Sequence, residues 1–423
     1  MRQERTIQAS IFDLFAGHEI GRELKAMSGW LDQHPALAGL VAKDLRRLGV
    51  KETGRHGLPA ESALRCALLK QHRQLSYEEL AFHLEDSASF RAFARLPLSW
   101  TPKKSVLHKT ISAIRAETWE AINHAALASA RAEKIETGGV IRLDSTVTAA
   151  LMHEPSDSSL LWDAVRVMAR MLKAAQSFAK IPWRDRRRAA KRTAYAIQFT
   201  RKRPKRIAHY RELIKIARAM LAHLDEAQAQ LQSAQGRTAL QLQAALARHR
   251  PLIAQIISLF EPHDDIIVKG GRGVQYGHKL NLAAGRSGLI LDLVIGDGNP
   301  SDSERFLPML DRHIAFYGRP PRQAAADGGY ASLDNLSRAK ARGVRDMAFH
   351  KKASLTIEDM VKSRWVYRKL RNFRAGIEAG ISCLKRAYGL ARCTWRGLAH
   401  FKAYVWSSVA AYNLALYARL RPA

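Results

Sequence analysis

Cysteine is scarce in this chain of 423 residues: there are three, Cys66, Cys383 and Cys393. Their spacing fits no metal-ligand pattern, and three are too few for a disulfide framework. The expectation is a reducing cytoplasm. No apolar run reaches the roughly 18 residues that a membrane span needs, so no membrane partner is expected. The opening stretch, Met1-Arg2-Gln3-Glu4-Arg5-Thr6, lacks the apolar core of a secretion signal. Neither a Walker loop nor a G-x-G-x-x-G pattern occurs, which removes the commonest nucleotide-binding folds. Acid is in short supply too. Against 69 Lys and Arg stand 38 Asp and Glu, leaving a formal net charge of +31. Such an excess repels itself unless a polyanion neutralises it, which points to nucleic acid. A ribosomal or membrane-surface protein would share this charge, but a hydrophobic content of 47% argues for a folded, enzyme-sized body, and the length allows two or three domains with cores of their own.

Because acids are few, their placement carries information. Gly138-Gly139 breaks the chain before Val140, Ile141 and Leu143, a short β-prone run that ends at Asp144. A carboxylate at the end of a buried strand is costly unless something pairs with it, and a metal ion is one such partner. Two later acids qualify to join it. Asp327 follows Ala324-Ala325-Ala326 and precedes Gly328-Gly329-Tyr330. Glu378 lies in a helical stretch where Arg371, Arg374, Glu378, Ile381 and Lys385 share one face. A carboxylate bracketed by cations suits a site that holds both metal and phosphate; it also suits an ordinary ion-paired helix surface. Asp292, inside a strand, and Asp297, in a Gly-Asp-Gly turn, read as structural.

The coarse order is helical to about residue 135. Ser76-Tyr77-Glu78-Glu79 is a capping box, and Pro102-Lys103-Lys104-Ser105 leads into another helix. A DNA-reading helix-turn-helix or a plain bundle both fit this part. From about Ser156 to Phe260 the pattern is again helical, with Leu213, Ile216, Met220, Leu224, Ala227 and Leu231 at three- and four-residue spacing. Its basic run holds Arg186-Arg187-Arg188 and Arg201-Lys202-Arg203, interleaved with Trp183, Tyr195, Phe199 and Tyr210. A run of one sign reads as a phosphate-tracking surface. Beyond it come a hairpin (276–282 and 288–295), a helix opened by the capping box Ser301–Glu304, a strand ending at Asp327, a helix from Ser332, a short strand 344–349, the Glu378 helix and an apolar helix from Ala399 to about Leu416. Without the insert the order is strand, strand, strand, helix, strand, helix, strand, helix.

This order, with Asp at the ends of the first and fourth strands and Glu on a later helix, resembles the RNase H-like core of DDE transposases. Leu143-Asp144-Ser145-Thr146 is similar to the first-acid motif of bacterial insertion-sequence transposases, and Ala326-Asp327-Gly328-Gly329-Tyr330 to the second. Arg374, Glu378 and Lys385 match the third-acid signature, with Arg371 standing where that signature usually has Tyr. Tyr276-Gly277-His278-Lys279, Gly298-Asn299-Pro300-Ser301-Asp302 and the tail from Arg396 to Asn413 also resemble this group, most nearly the ISNCY-type members. The resemblance spans essentially the whole chain.

It implies an α/β fold: an RNase H-like mixed sheet at 136–155 and 262–423, interrupted by a basic all-helical insertion at 156–261 and preceded by an all-α DNA-binding domain at 1–135. It implies an insertion-sequence transposase that hydrolyses DNA at element ends and transfers the 3′-hydroxyl to target DNA. Two Mg²⁺ ions, replaceable by Mn²⁺, would be held by Asp144, Asp327 and Glu378. DNA contacts would come from Arg374, Lys385, Arg371, His278, Lys279 and the two basic triplets. Double-stranded DNA is the expected partner, a homodimer on DNA the expected assembly, and the nucleoid-bearing cytoplasm the expected place. The alternatives are a nuclease of the same fold without strand transfer and a catalytically inactive DNA-binding relative.

Overall fold

The computed structural model describes residues 18–47, 57–97, 99–151, 157–178, 180–232, 235–255, 265–268, 274–296, 298, 300–350 and 354–421. They fall into two compact units: residues 1–151 with 265–423, and residues 152–264.

The first unit begins with helices α1 (Glu19–Gln33), α2 (Ala36–Arg46), α3 (Ala60–His72), α4 (Tyr77–Asp86), α5 (Ala88–Phe93), α6 (Lys104–Ile111) and α7 (Ala116–Ala132). Pro59 sits immediately before α3, where its missing N–H costs nothing. The Ser76/Glu79 capping box opens α4 with both reciprocal bonds formed. Strand β1 (Val140–Ala149) follows. The second unit is α8 (Asp157–Ala175), α9 (Arg187–Phe199), α10 (Arg203–Leu231) and α11 (Arg237–Gln255). It has its own hydrophobic cluster, built on α8, α9 and the Leu213–Leu231 stripe of α10.

The chain re-enters the first unit with β2 (Asp265–Val268), β3 (Val274–Ala284) and β4 (Ile290–Ile295), then α12 (Asp302–Tyr317), β5 (Gln323–Ala326), α13 (Leu333–Ala341), β6 (Asp346–Phe349), α14 (Ile357–Met360), α15 (Arg364–Ala387) and α16 (Leu398–Leu420). Among the described residues six strands form one sheet. β4, β3, β1, β5 and β6 lie side by side, and β2 shares with β4 the far edge of β3. β1 runs antiparallel to β3 and parallel to β5.

Two features differ from the sequence expectation. β2 is an additional strand. More important, β1 does not stop at Asp144 but continues to Ala149, because β3 pairs with it from Arg142↔Ala284 to Ala149↔Gly277. Its other neighbour stops early: β5 pairs only with Val140–Leu143, the last pair being Leu143↔Ala326. The helices before β1 share one hydrophobic cluster with the sheet and the closing helix, so residue 135 marks a change from helix to strand without a break in packing.

The closing helix also ties these layers together by hydrogen bonds. Asn413, at the end of the tail that resembles the family, is fully buried. Its amide oxygen accepts from Ile290 N (2.8 Å), and its nitrogen donates to Ile290 O (2.7 Å) and to Asn123 Oδ1 on α7 (2.6 Å). An edge residue of β4 thus has both main-chain groups satisfied by one side chain. Asn413→Ala strands those groups away from water, at a cost of about 2–3 kcal/mol. A lowered urea midpoint of unfolding checks this; an unchanged midpoint contradicts it.

Candidate active site

The staggered strand ends create the site. Leu143 is the last residue of β1 that β5 covers, so Asp144 is the first beyond its neighbour, and Asp327 is the first residue after β5. Two carboxylates therefore leave adjacent parallel strands at the same level. Arg142 and Asp144, two apart on β1, project to one face, and α15 covers that face. Arg142 donates to Phe373 O of α15 (3.0 Å) and stacks on the Phe373 ring (4.8 Å to its centre). Gly376 makes room for it: a Cβ there would lie 2.3 Å from Arg142 Nη1. This close seating sets which face of α15 meets the strand ends.

That face presents Arg374, and Arg374 touches all three acids. Its Nη2 lies 3.0 Å from Asp144 Oδ2 and 3.3 Å from Asp327 Oδ1, while its Nη1 lies 2.9 Å from Glu378 Oε1. The side chains of Arg374 and Asp144 are 10% and 11% exposed, Asp327 41% and Glu378 64%. The pocket grades from a buried ion pair to open solvent. Asp144 Oδ1 also accepts from Ser145 N (2.7 Å).

The opposite face of β1 carries a polar network that holds the same strand ends. Ser145 and its cross-strand partner Asn281 both donate to Asp302 at the start of α12 (3.0 and 2.9 Å). Asn281 also donates to the hydroxyl of Tyr330 (2.6 Å), and Lys279 pairs with Asp302 (3.1 Å) while donating to Pro300 O (2.9 Å). Gly329 is needed here, since a Cβ would meet Asp302 Oδ2 at 2.8 Å. Burial pushes the Tyr330 hydroxyl well above its ordinary range, so it is a neutral strut. Asp302 thus fastens the strand bearing Asp144, and Asn281 carries the network on to Tyr330 in the turn following Asp327.

The three carboxylates offer hard oxygen donors of the kind divalent ions prefer. Among the described residues no three acids, histidines or cysteines close into a preformed metal cluster. The guanidinium stands among the carboxylates and supplies the positive charge their convergence requires.

Two family models match the chain: a transposase DDE domain over residues 264–414 and a transposase domain (DUF772) over residues 15–117. The chain belongs to the DDE transposases of insertion sequences. The matches point to an IS4/IS5-like family of insertion sequences, not to the ISNCY-type group that the motifs most nearly resemble. No curated protein and no solved structure matches the chain. As a transposase it is a nuclease and transesterase acting on DNA, and transposases of this family generally use divalent metal ions. Asp327 and Glu378 lie inside the matched DDE segment; Asp144 precedes it.

Several residues expected to contact DNA sit elsewhere. His278 is 1% exposed, packed on the Phe401 ring and next to Gly296 O. Lys279 is committed to Asp302 and Pro300. Their side chains are covered on the two faces of the strand, His278 by Phe401 of α16 and Lys279 by Asp302 and Pro300 at the start of α12, so neither is presented at the surface as the reading of them as DNA contacts expects. Arg374 faces carboxylates and not an open phosphate site. Arg371 is exposed, Lys385 half-buried. In the transposase's helical insertion Arg186, Arg188, Arg201 and Lys202 are exposed, Arg187 pairs with Asp185 (2.6 Å), and the Arg203 side chain lies outside the described residues. Asp292 is buried against Arg312 (2.8 Å), as its structural reading requires; Asp297 lies outside the described residues. Sequence reasoning missed Asp302, Asn281 and Arg142. The signal for Asp302 is present in Asn299-Pro300-Ser301-Asp302, but that stretch reads as a helix start.

Removing the guanidinium leaves Asp144 buried beside two like charges. Arg374→Gln should therefore lower stability by about 3 kcal/mol in EDTA, and Mg²⁺ should restore part of that loss. Thermal unfolding with and without the ion measures both. A variant as stable as the parent in EDTA would remove the neutralising role.

Proposed function

We propose that Asp144, Asp327 and Glu378 are the catalytic acids of this transposase and hold Mg²⁺, with Mn²⁺ able to substitute. The observation that carries this reading is their convergence on Arg374 from two strand ends and a helix. It is supported by the sheet order β4-β3-β1-β5-β6 with the acids after β5 and within β1, as an RNase H-like core requires. When bound, divalent ions make a water or a 3′-hydroxyl nucleophilic and stabilise the leaving oxygen of an in-line displacement.

The chain's own residues do the rest. Asp144, fixed by Ser145 N and by the Asp302 network behind it, is the rigid member of the set. Glu378, the most exposed, closes the site from α15. Arg374 balances the acids when no ion is present. Hydrolysis breaks a P–O3′ bond and leaves a 3′-hydroxyl. In strand transfer that hydroxyl attacks a target phosphate, and the displaced 3′-oxygen takes up a proton. Neither step needs a protein nucleophile.

DNA grip belongs to other surfaces. The exposed Arg186, Arg188, Arg201 and Lys202, with Tyr195 and Phe199 stacked 6.2 Å apart and 55% and 76% exposed, suit a phosphate backbone. The helices before residue 135 serve as the end-binding module, and two copies act on a pair of ends. No described helix is long and apolar enough to cross a membrane.

Asp144→Asn should abolish nicking and joining of element-end DNA in Mg²⁺ or Mn²⁺ while DNA binding persists, because the change lowers local negative charge. Nicking without joining by the parent would favour a plain nuclease; cutting by the variant would remove the acid assignment. Replacing Arg186 and Arg188 by Gln should reduce the slope of log K against log salt by up to about 0.9 for each phosphate that these arginines neutralise. An unchanged slope would make this run a solvated surface only.

A further inference from the structure

A cavity of about 880 Å³ opens beside the last turns of α15, walled by α3, α4, α6 and the segment between α15 and α16. Its lining is unusual in charge. Lys70, Lys385, Arg392 and Arg396 face it with a single carboxylate, Glu79, which is already bonded within the Ser76 capping box. Lys70 is the decisive member. It is 6% exposed, and among the described residues its ammonium has no hydrogen bond or ion pair; it rests over the Tyr77 ring at 4.9 Å. A buried, unpaired cation is costly unless an anion arrives to meet it. Burial pushes Lys70 down to about 8, so an anion would return it toward the ordinary lysine value. Aromatic walls complete the pocket: Tyr77 and Trp395 both line it.

The chemistry wanted here is an anion joined to a flat apolar group. Cations plus rings select a nucleotide, and the size falls in the range of ligand-holding pockets, about 300–1,000 Å³. A paired, stacked base hides its faces, so only an unstacked one presents ring and phosphate together. Position supplies the second argument. Lys385 lies seven residues beyond Glu378 on α15, about 10 Å along the helix. A strand lying over the acids comes within reach of the cavity in roughly three nucleotides. We propose that this cavity holds one unstacked nucleotide of the DNA strand that passes over Asp144, Asp327 and Glu378. The placement of that strand rests on the function proposed above; the pocket's affinity for an unpaired nucleotide is tested separately from it.

The test uses the full chain, EDTA, and a fluorescein-labelled duplex bearing a five-thymidine single-stranded tail. Lys70→Met keeps the buried stem and removes the charge, so it should be at least as heat-stable as the parent. It should bind the tailed duplex about tenfold more weakly, with the log K against log salt slope smaller by about 0.7. Making the tail abasic should weaken the parent's binding at least tenfold. A folded Lys70→Met protein with unchanged affinity and slope overturns the proposal, as does equal affinity for abasic and thymidine tails. Since no ion is present, these results do not depend on the acids. Cutting by Asp144→Asn would remove the acid assignment and leave the tail measurements standing.

Discussion

Like charges held close together are the constraint on which this transposase is built. Three carboxylates on distant parts of the chain meet where β5 stops pairing with β1, and their repulsion is offset by the one guanidinium they share. The balance is uneven across the site. Asp144 is buried and pinned, so its position is set by the sheet; Glu378 is mostly exposed, so its position is set by α15. Seating α15 correctly is therefore as important as bearing the acid, and this is the work of Arg142 against Phe373 and Gly376.

The support behind the site follows the same logic on the other face of the sheet. Ser145 and Asn281, opposite each other on β1 and β3, converge on Asp302, and Asn281 continues to Tyr330. Lys279 keeps Asp302 from standing as an isolated buried charge. The two faces differ in kind. The Arg374 side ends in partly exposed carboxylates, whereas on the Asp302 side the donors of Ser145, Asn281 and Lys279 converge on one carboxylate, with Asn281 Oδ1 left buried and unpartnered among the described residues. Three donors on one carboxylate resist displacement of the strands that bear them, which is what a set of acids needs if it is to keep its spacing when its counter-charge changes.

Much of this is legible in the sequence. The strand and helix order, the capping box at Ser76, the N-cap at Ser301 (without the reciprocal bond of a full box), and the three acid-bearing motifs are local patterns of spacing and residue type. The pairing that gives them meaning is not local. Arg374 and Asp144 are 230 residues apart, so no periodicity tells an arginine that binds phosphate from one that binds acids. The length of β1 is hidden because Asp144 looks like a terminator; only the register with β3 shows the strand running on. His278 and Lys279 look like DNA contacts as text, yet Phe401 covers one and Asp302 with Pro300 holds the other. Asn413 reads as one more buried polar residue until Ile290 appears beside it.

The same registers explain why a sheet can tolerate an interruption of roughly a hundred residues so near the strand that bears Asp144. β1 ends at the pair Ala149↔Gly277, and β2 begins at Asp265↔Gly277. The chain thus leaves and re-enters at the two flanks of one residue of β3, about 10 Å apart. Gly277 permits the crowding there, since a Cβ would lie 2.1 Å from Thr148 O. An insertion closed over so short a span asks little of the sheet, and among the described residues the inserted helices have a hydrophobic cluster of their own. The acids keep their places because the inserted helices begin after the last β1 pair, five residues beyond Asp144, where the strand's register is already fixed.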